Sequence, residues 1–218
     1  MMLDFYCGSG SPYAWRVWLA LEHKTLGYDL KLLSFDAGDL QKPEFLALNP
    51  RRKVPVLGDR GFVVYESAAI LEYLEGAYAS SGQRLFPVDA KQRATARRLV
   101  CEVDHYVAPA MEKLAEEVLF TPVEKFDEKA IAEARKGFAE ELAIFEGYAP
   151  EKGFLASANA GAIDFALYPM IALALRMERK KKDLDVRGII PPKLTAWMQR
   201  VEQLPYFEKT IPPHWKKS

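Results

Sequence analysis

The chain has 218 residues, half of them hydrophobic and 28% charged, and its 30 Lys and Arg are matched by 30 Asp and Glu. A net charge of zero offers no general attraction for nucleic acid or for an anionic membrane surface. The length suits one large domain or two small ones, and the two cysteines, Cys7 and Cys101, form neither a disulfide framework nor a metal motif, as in a reducing compartment.

The first residues carry Asp4 and no apolar run of the signal-peptide kind, so a cytoplasmic protein is expected. Residues 2–6 alternate like a short strand, and Ala14, Val17, Trp18 and Leu21 follow at helical spacing. The turn between them ends in Ser11-Pro12. Serine is a preferred N-cap and proline suits the first helical position. A hydroxyl there meets unpaired N–H groups at the positive end of a helix dipole, so Ser11 is either an ordinary cap or part of an anion site.

Residues 30–35 read as a second strand, 36–40 as a polar loop, and 43–48 as a short helix stopped by Asn49-Pro50. Residues 54–57 and 62–65 read as two strands joined by the four-residue loop 58–61. Pro55 cannot donate to a ladder, which marks an edge strand or a cis turn. A cis bond would turn the N–H and C=O of Val54 toward an incoming peptide. Glu66-Ser67 opens a helix with Ser67 as cap and Ile70, Leu71, Leu74, Ala77 and Tyr78 as the buried stripe. The N–H groups behind Ser67 could take a carboxylate and Glu66 an ammonium, the two charged ends of an α-amino acid; an ordinary helix start is the alternative. The order β-α-β-α-β-β-α describes an α+β domain.

Past a connector at 81–88 the pattern becomes helical throughout. Residues 90–120 give a stripe of Leu99, Val103, Tyr106, Ala110, Leu114 and Val118, kinked by Pro109. Asp127 caps a helix reaching about residue 148; others run over 162–179 and from Pro192 to about 204. Residues 154–175 carry one charge, Asp164, which with Gly161 and Pro169 argues for a buried helix over a membrane span. Gly161-x-x-Asp164 keeps only the acidic half of a capping box. The run 179–182 reads as a solvated helix end.

Other chemistries lack their residues. Gly8-Ser9-Gly10 is not a dinucleotide fingerprint because position 13 is Tyr, and no Gly-x-Ser-x-Gly elbow exists. His23, His105 and His214 are scattered, without metal-ligand spacing.

Ser11-Pro12-Tyr13-Ala14 with Arg16-Val17, then Asn49-Pro50-Arg51-Arg52-Lys53-Val54-Pro55-Val56-Leu57, then Tyr65-Glu66-Ser67-Ala68-Ala69-Ile70, resemble the cytosolic glutathione transferases of the serine-type, bacterial-like kind. The all-α second half is similar to theirs, so the resemblance covers essentially the whole chain. It implies a thioredoxin-like domain over 1–80, a linker at 81–88, an all-α domain over 89–218, a homodimer, and glutathione as co-substrate without a metal. It further implies a cis Pro55, Val54 pairing its backbone with the cysteinyl part of glutathione, and Glu66 and Ser67 holding the γ-glutamyl end. Lys53 and Gln41 match positions near the glycine carboxylate, although Leu40 stands where many relatives have histidine.

Ser11 matches the serine that stabilises the thiolate. Tyr6, where tyrosine-type relatives carry their hydroxyl, and Ser9 are its rivals, while Cys7 is not at the position of the redox cysteine. The expected activity is detoxifying conjugation of glutathione to small apolar electrophiles, in a pocket that Tyr13, Tyr106 and Tyr168 could line if they are not core residues. Alternatives are a non-catalytic glutathione-binding regulatory protein and an isomerase of the maleylacetoacetate type. The isomerase relatives carry a Ser-Ser-Cys run that Gly8-Ser9-Gly10-Ser11 does not supply.

Overall fold

The computed structural model describes residues 2–216. Strands β1 (Leu3–Gly8), β2 (Tyr28–Leu33), β3 (Val56–Asp59) and β4 (Phe62–Tyr65) form one sheet in the order β2-β1-β3-β4. β1 runs parallel to β2, and the β1–β3 and β3–β4 pairs are antiparallel. Strand alternation sorts β1 between two faces. Phe5 is buried with its ring edge-on to Trp18 of helix α1 (Pro12–His23), whereas Tyr6 lies 6.3 Å from Phe45 of helix α2 (Pro43–Leu48). Helix α3 (Ser67–Ala77) packs beside α1 and buries Ile70, Leu71 and Leu74. The expected thioredoxin-like order of elements is present.

Several boundaries differ from the sequence reading. β2 begins and ends two residues earlier than expected, and β3 starts at Val56, so Val54-Pro55 precede the strand instead of lying in it. The hairpin turns on two residues, Arg60 and Gly61, both at positive φ (52° and 87°), the geometry that matches the twist of paired strands. Ala77 and Tyr78 do not join the buried stripe of α3. The hydroxyls of Tyr78 and Tyr73 instead donate to Asp59 at 2.5 and 2.7 Å, tying the helix to β3.

The helical unit spans Pro87–Leu204. The expected helix over 90–120 runs without a break: α4 (Ala90–Glu102) and α5 (Ala108–Ala115) are joined by a wider, π-helical turn at Val103–Val107, and a second such turn follows at Glu116–Phe120. Each such turn inserts extra backbone and shifts the register of the face behind it. The buried stripe therefore continues through Val107 and Met111, and Tyr106, expected on it, is 59% exposed. Asp127 caps α6 (Glu128–Glu146) by accepting from the N–H groups of Lys129 and Ala130.

Helix α7 (Ala162–Met177) is buried on nearly every side, as expected from its composition, and packs against α4, α5 and α8 (Pro192–Glu202). The capping-box half is present: Asp164 accepts from the N–H of Gly161 at 2.8 Å. The same carboxylate accepts from Leu155 N–H and Trp197 Nε1–H, and its burial pushes its pKa up to about 6. No helix among the described residues is long and apolar enough to cross a membrane. The basic run after α7 is not simply solvated. Lys181 is buried and bridges Glu128 and Asp183, and Lys180 donates to the carbonyls of Leu119 and Thr121.

The residues from Pro205 onward cluster with those up to Phe86. Short helices α9 (Phe207–Thr210) and α10 (Pro213–Lys216) lie along α1. Trp15 draws them there: its Nε1–H donates to Thr210 Oγ1 at 2.9 Å, and its ring meets Phe207 and Trp215. His23, at the other end of α1, shares a 2.6 Å hydrogen bond with the Tyr206 hydroxyl.

Burial lowers the His23 pKa to about 4 from its ordinary 6.5. The unfolded chain then takes up the proton first, so this contribution is full above pH 6.5 and is lost as pH falls toward 4. Asp164 titrates over an overlapping range with the opposite sign, so a His23→Gln variant is the reference. Urea unfolding should show wild type losing about 3 kcal/mol relative to that variant between pH 7.5 and pH 4. A difference independent of pH would contradict the buried neutral imidazole.

Candidate functional site

Register decides what meets at one end of the sheet. Tyr6 pairs with Val56, Val56 pairs with Tyr65, and Gly8 pairs with Leu33. The segments leaving these residues therefore start side by side: the turn to Ser11, the approach from Val54-Pro55, the helix start at Glu66-Ser67, and the loop leading to Gln41. Gly8 shows how closely they approach. A Cβ placed on it would come 2.9 Å from Cγ2 of Val54.

Ser11 is the N-cap of α1, in extended backbone, and its Oγ accepts from Ala14 N–H at 3.3 Å. A serine hydroxyl has one donor and two lone pairs, so capping uses an acceptor and leaves the O–H for a second partner. Gly10 reaches the φ of +87° that the preceding turn requires. The Val54–Pro55 bond is cis, and both residues are buried.

Asn49, which the sequence reading used as a helix stop and as the start of the motif through Pro55, organises the loop before them. It is buried, its Oδ1 accepts from Arg51 N–H, and its Nδ2–H donates to the Lys53 carbonyl at 2.8 Å. The side chains of Arg51, Arg52 and Lys53 are exposed, as is Gln41 in a single 3-10 turn after Gly38.

The second helix start differs from expectation. Ser67 is the first residue of α3, and Glu66 is the capping position, at φ 69° and ψ 111° with no side-chain capping bond. A non-glycine residue there holds about 1–3 kcal/mol of strain. Ser67 is buried and accepts from Arg16 Nη1–H at 3.1 Å, a contact that uses a lone pair and not its O–H. Arg16 is fully buried on α1 and lies over the ring of Tyr13 at 5.5 Å. Its role as a link between helix starts went unseen in the sequence, where the only signal is a charge in the buried run Trp15-Arg16-Val17.

The rivals to Ser11 sit differently. The ring of Tyr6 lines a cavity of about 410 Å³ with Leu33, Phe45 and Leu48 on the α2 face of the sheet. Ser9 Oγ shares a 2.6 Å hydrogen bond with Nδ1 of His214. The Cys7 thiol is buried, which pushes its pKa up to about 12, and it is no thiolate at neutral pH. Of the three candidate pocket tyrosines, Tyr13 is half-buried and Tyr106 exposed. Tyr168 is a core residue: its hydroxyl donates to Glu202 at 2.8 Å and its ring packs on Trp197.

The model for the N-terminal domain of glutathione S-transferases matches residues 10–77, and that for the C-terminal domain matches residues 103–205. A glutathione S-transferase from the Antarctic clam Laternula elliptica is 30% identical and superposes with a TM-score of 0.84, covering 100% of this chain and 95% of that one. The chain belongs to the glutathione S-transferases. Glutathione S-transferase A of Pleuronectes platessa is 28% identical to this transferase over 217 residues, 97% of this chain and 92% of that protein. A glutathione transferase family member from Pseudomonas fluorescens, solved with two glutathione bound, shares the fold at 19% identity, with a TM-score of 0.84 over 97% of this chain and 92% of that one.

Glu66 offers a test of strain against binding. Glu66→Gly should raise stability by about 1 kcal/mol in thermal or urea unfolding, because glycine accepts the positive φ. The same change removes the carboxylate, so calorimetry with glutathione on the variant reads whether that carboxylate takes part in binding. Lower stability in the variant would mean that the backbone at this position is relaxed.

Proposed function

We propose that this glutathione-conjugating transferase holds reduced glutathione at the shared sheet end, with Ser11 donating its hydroxyl hydrogen to the sulfur. The observation that carries the reading is the division of labour at Ser11, whose lone pair caps α1 while its O–H stays available. A thiol of pKa about 8.5 is mostly protonated at neutral pH, yet the thiolate is the nucleophile. Lowering that pKa by about two units needs roughly 2.7 kcal/mol. A hydrogen bond to a charged sulfur, backed by the N-terminus of α1, is of that size.

The remaining roles follow the charges of the tripeptide. Val54 offers its backbone N–H and C=O to the cysteinyl part beside cis Pro55. The N-terminal N–H groups of α3 and the Ser67 hydroxyl suit the α-carboxylate of the γ-glutamyl end, and Glu66 suits its ammonium. Lys53 and Gln41, both exposed, suit the glycine carboxylate. Once the thiol proton has passed to solvent, the sulfur lone pair forms a bond to the electrophilic carbon, and a leaving group departs with its electron pair. Ser11 orients and stabilises without forming a covalent bond.

Ser11 is favoured over Tyr6, whose ring lies on the α2 face, and over Ser9, whose oxygen is engaged by His214. Small apolar electrophiles, a homodimer, a cytoplasmic location and a role in detoxification belong to the same proposal and rest on membership of the family. The proposed reaction needs no metal. A purely binding protein and an isomerase are less favoured, because the curated relatives are named transferases.

Conjugation of glutathione to an activated aryl chloride tests the reading. At pH 7 Ser11→Ala should lower kcat/KM for the electrophile by up to about 25-fold, the fall in thiolate fraction when the bound thiol pKa rises from about 6.5 to about 8.5, with glutathione affinity falling only about fourfold. Equal rates in both proteins would move the chemistry to Tyr6 or Ser9. A wild type that binds glutathione without turnover would favour the binding protein.

A further inference from the structure

Residues 206–215 run along α1 and reach the turn that carries Ser11. Tyr206 meets His23 at the far end of α1, and Lys209 pairs with Glu22 at 2.7 Å. Thr210 and Phe207 hold Trp15, and Trp215 stands edge-on to the Trp15 ring at 5.3 Å. These contacts fix the position of the next side chain back. His214 lays its imidazole over Gly10: a Cβ there would lie 2.9 Å from Cε1 and 3.3 Å from Nε2. Its Nδ1 shares the 2.6 Å hydrogen bond with Ser9 Oγ.

We propose that His214 is a positioning residue for conjugation, holding the Ser9-Gly10-Ser11 turn through Ser9 so that the Ser11 hydroxyl meets the glutathione sulfur. The inference rests on the reading of Ser11 as the thiolate's donor. The turn is four residues, Gly8 to Ser11, closed by one backbone hydrogen bond of 3.0 Å from Ser11 N–H to Gly8 O. Gly10 within it lacks a side chain and has φ of +87°. Such a segment has freedom to lose, and an imidazole on one side reduces it. A displacement of the donor by about 1 Å would weaken a bond that matters only when sulfur is charged. The effect should therefore fall on kcat and hardly on glutathione affinity. His214 itself is exposed, so its truncation opens no core cavity.

The test compares kinetics with an activated aryl chloride and calorimetry with glutathione. His214→Ala should lower kcat roughly tenfold, with the glutathione dissociation constant changed less than about twofold. Asparagine places an amide atom where Nδ1 was, so His214→Asn should recover most of the rate. Glutamine places it nearer Nε2, so His214→Gln should not. Ser9→Ala should match His214→Ala, and the double variant should be no slower than either single one.

Wild-type kinetics in His214→Ala, equal rates for Asn and Gln, or losses that multiply in the double variant would each overturn the proposal. Failure of the Ser11 reading looks different. There, Ser11→Ala keeps the wild-type rate, whereas here Ser11→Ala is slow and His214→Ala is not.

Discussion

A guanidinium without access to solvent holds the two helix starts of this site in one frame. Arg16 leaves α1 little more than a turn beyond Ser11 and donates to Ser67 at the first position of α3. Burying a charge costs several kcal/mol unless partners replace water, so the arginine is tolerated because hydroxyl and aromatic groups surround it. The consequence is geometric. Ser11 and Ser67 belong to helices far apart in sequence, but a displacement of either N-terminus has to stretch the same buried contact.

The sheet supplies the second half of the frame. Tyr6, Val56 and Tyr65 lie in one row of the ladder, so the turn, the cis proline and Glu66 emerge from adjacent strands at one end. Gly8 allows Val54 to close against β1, and Asn49 shapes the loop that leads into Val54. Polar groups of opposite kinds thereby lie at one end of the sheet, helix N-termini and a basic run beside Glu66, as the proposed glutathione site requires. Glu66 turns the chain from β4 into α3 through a strained backbone at φ 69°.

Local signals in the sequence were the reliable ones. Ser11-Pro12, Pro43, Asp127 and Pro192 mark helix starts that the structure places at those residues, since caps and prolines act within one turn. The grouping of Ser11, Pro55 and Glu66-Ser67 was legible from order and spacing through the family resemblance. Features decided by distant contacts were not legible. Nothing near Ser9 announces His214, 205 positions away, and nothing in 90–120 announces the π-helical turns that expose Tyr106. Tyr168 and Lys181 fall in the same class, as their fates depend on Glu202 and Glu128. Ser67 moved from cap to first helical residue because Glu66 takes a backbone conformation that no side chain pattern predicts.

The role proposed for this frame is electrostatic: keeping a sulfur charged next to Ser11. Ultraviolet difference titration of glutathione bound to the protein measures this directly, since the thiolate absorbs and the thiol does not. The account predicts a bound thiol pKa about two units below the free value of about 8.5, returning toward it in Ser11→Ala. A bound thiol that titrates like free glutathione in the wild type would contradict it.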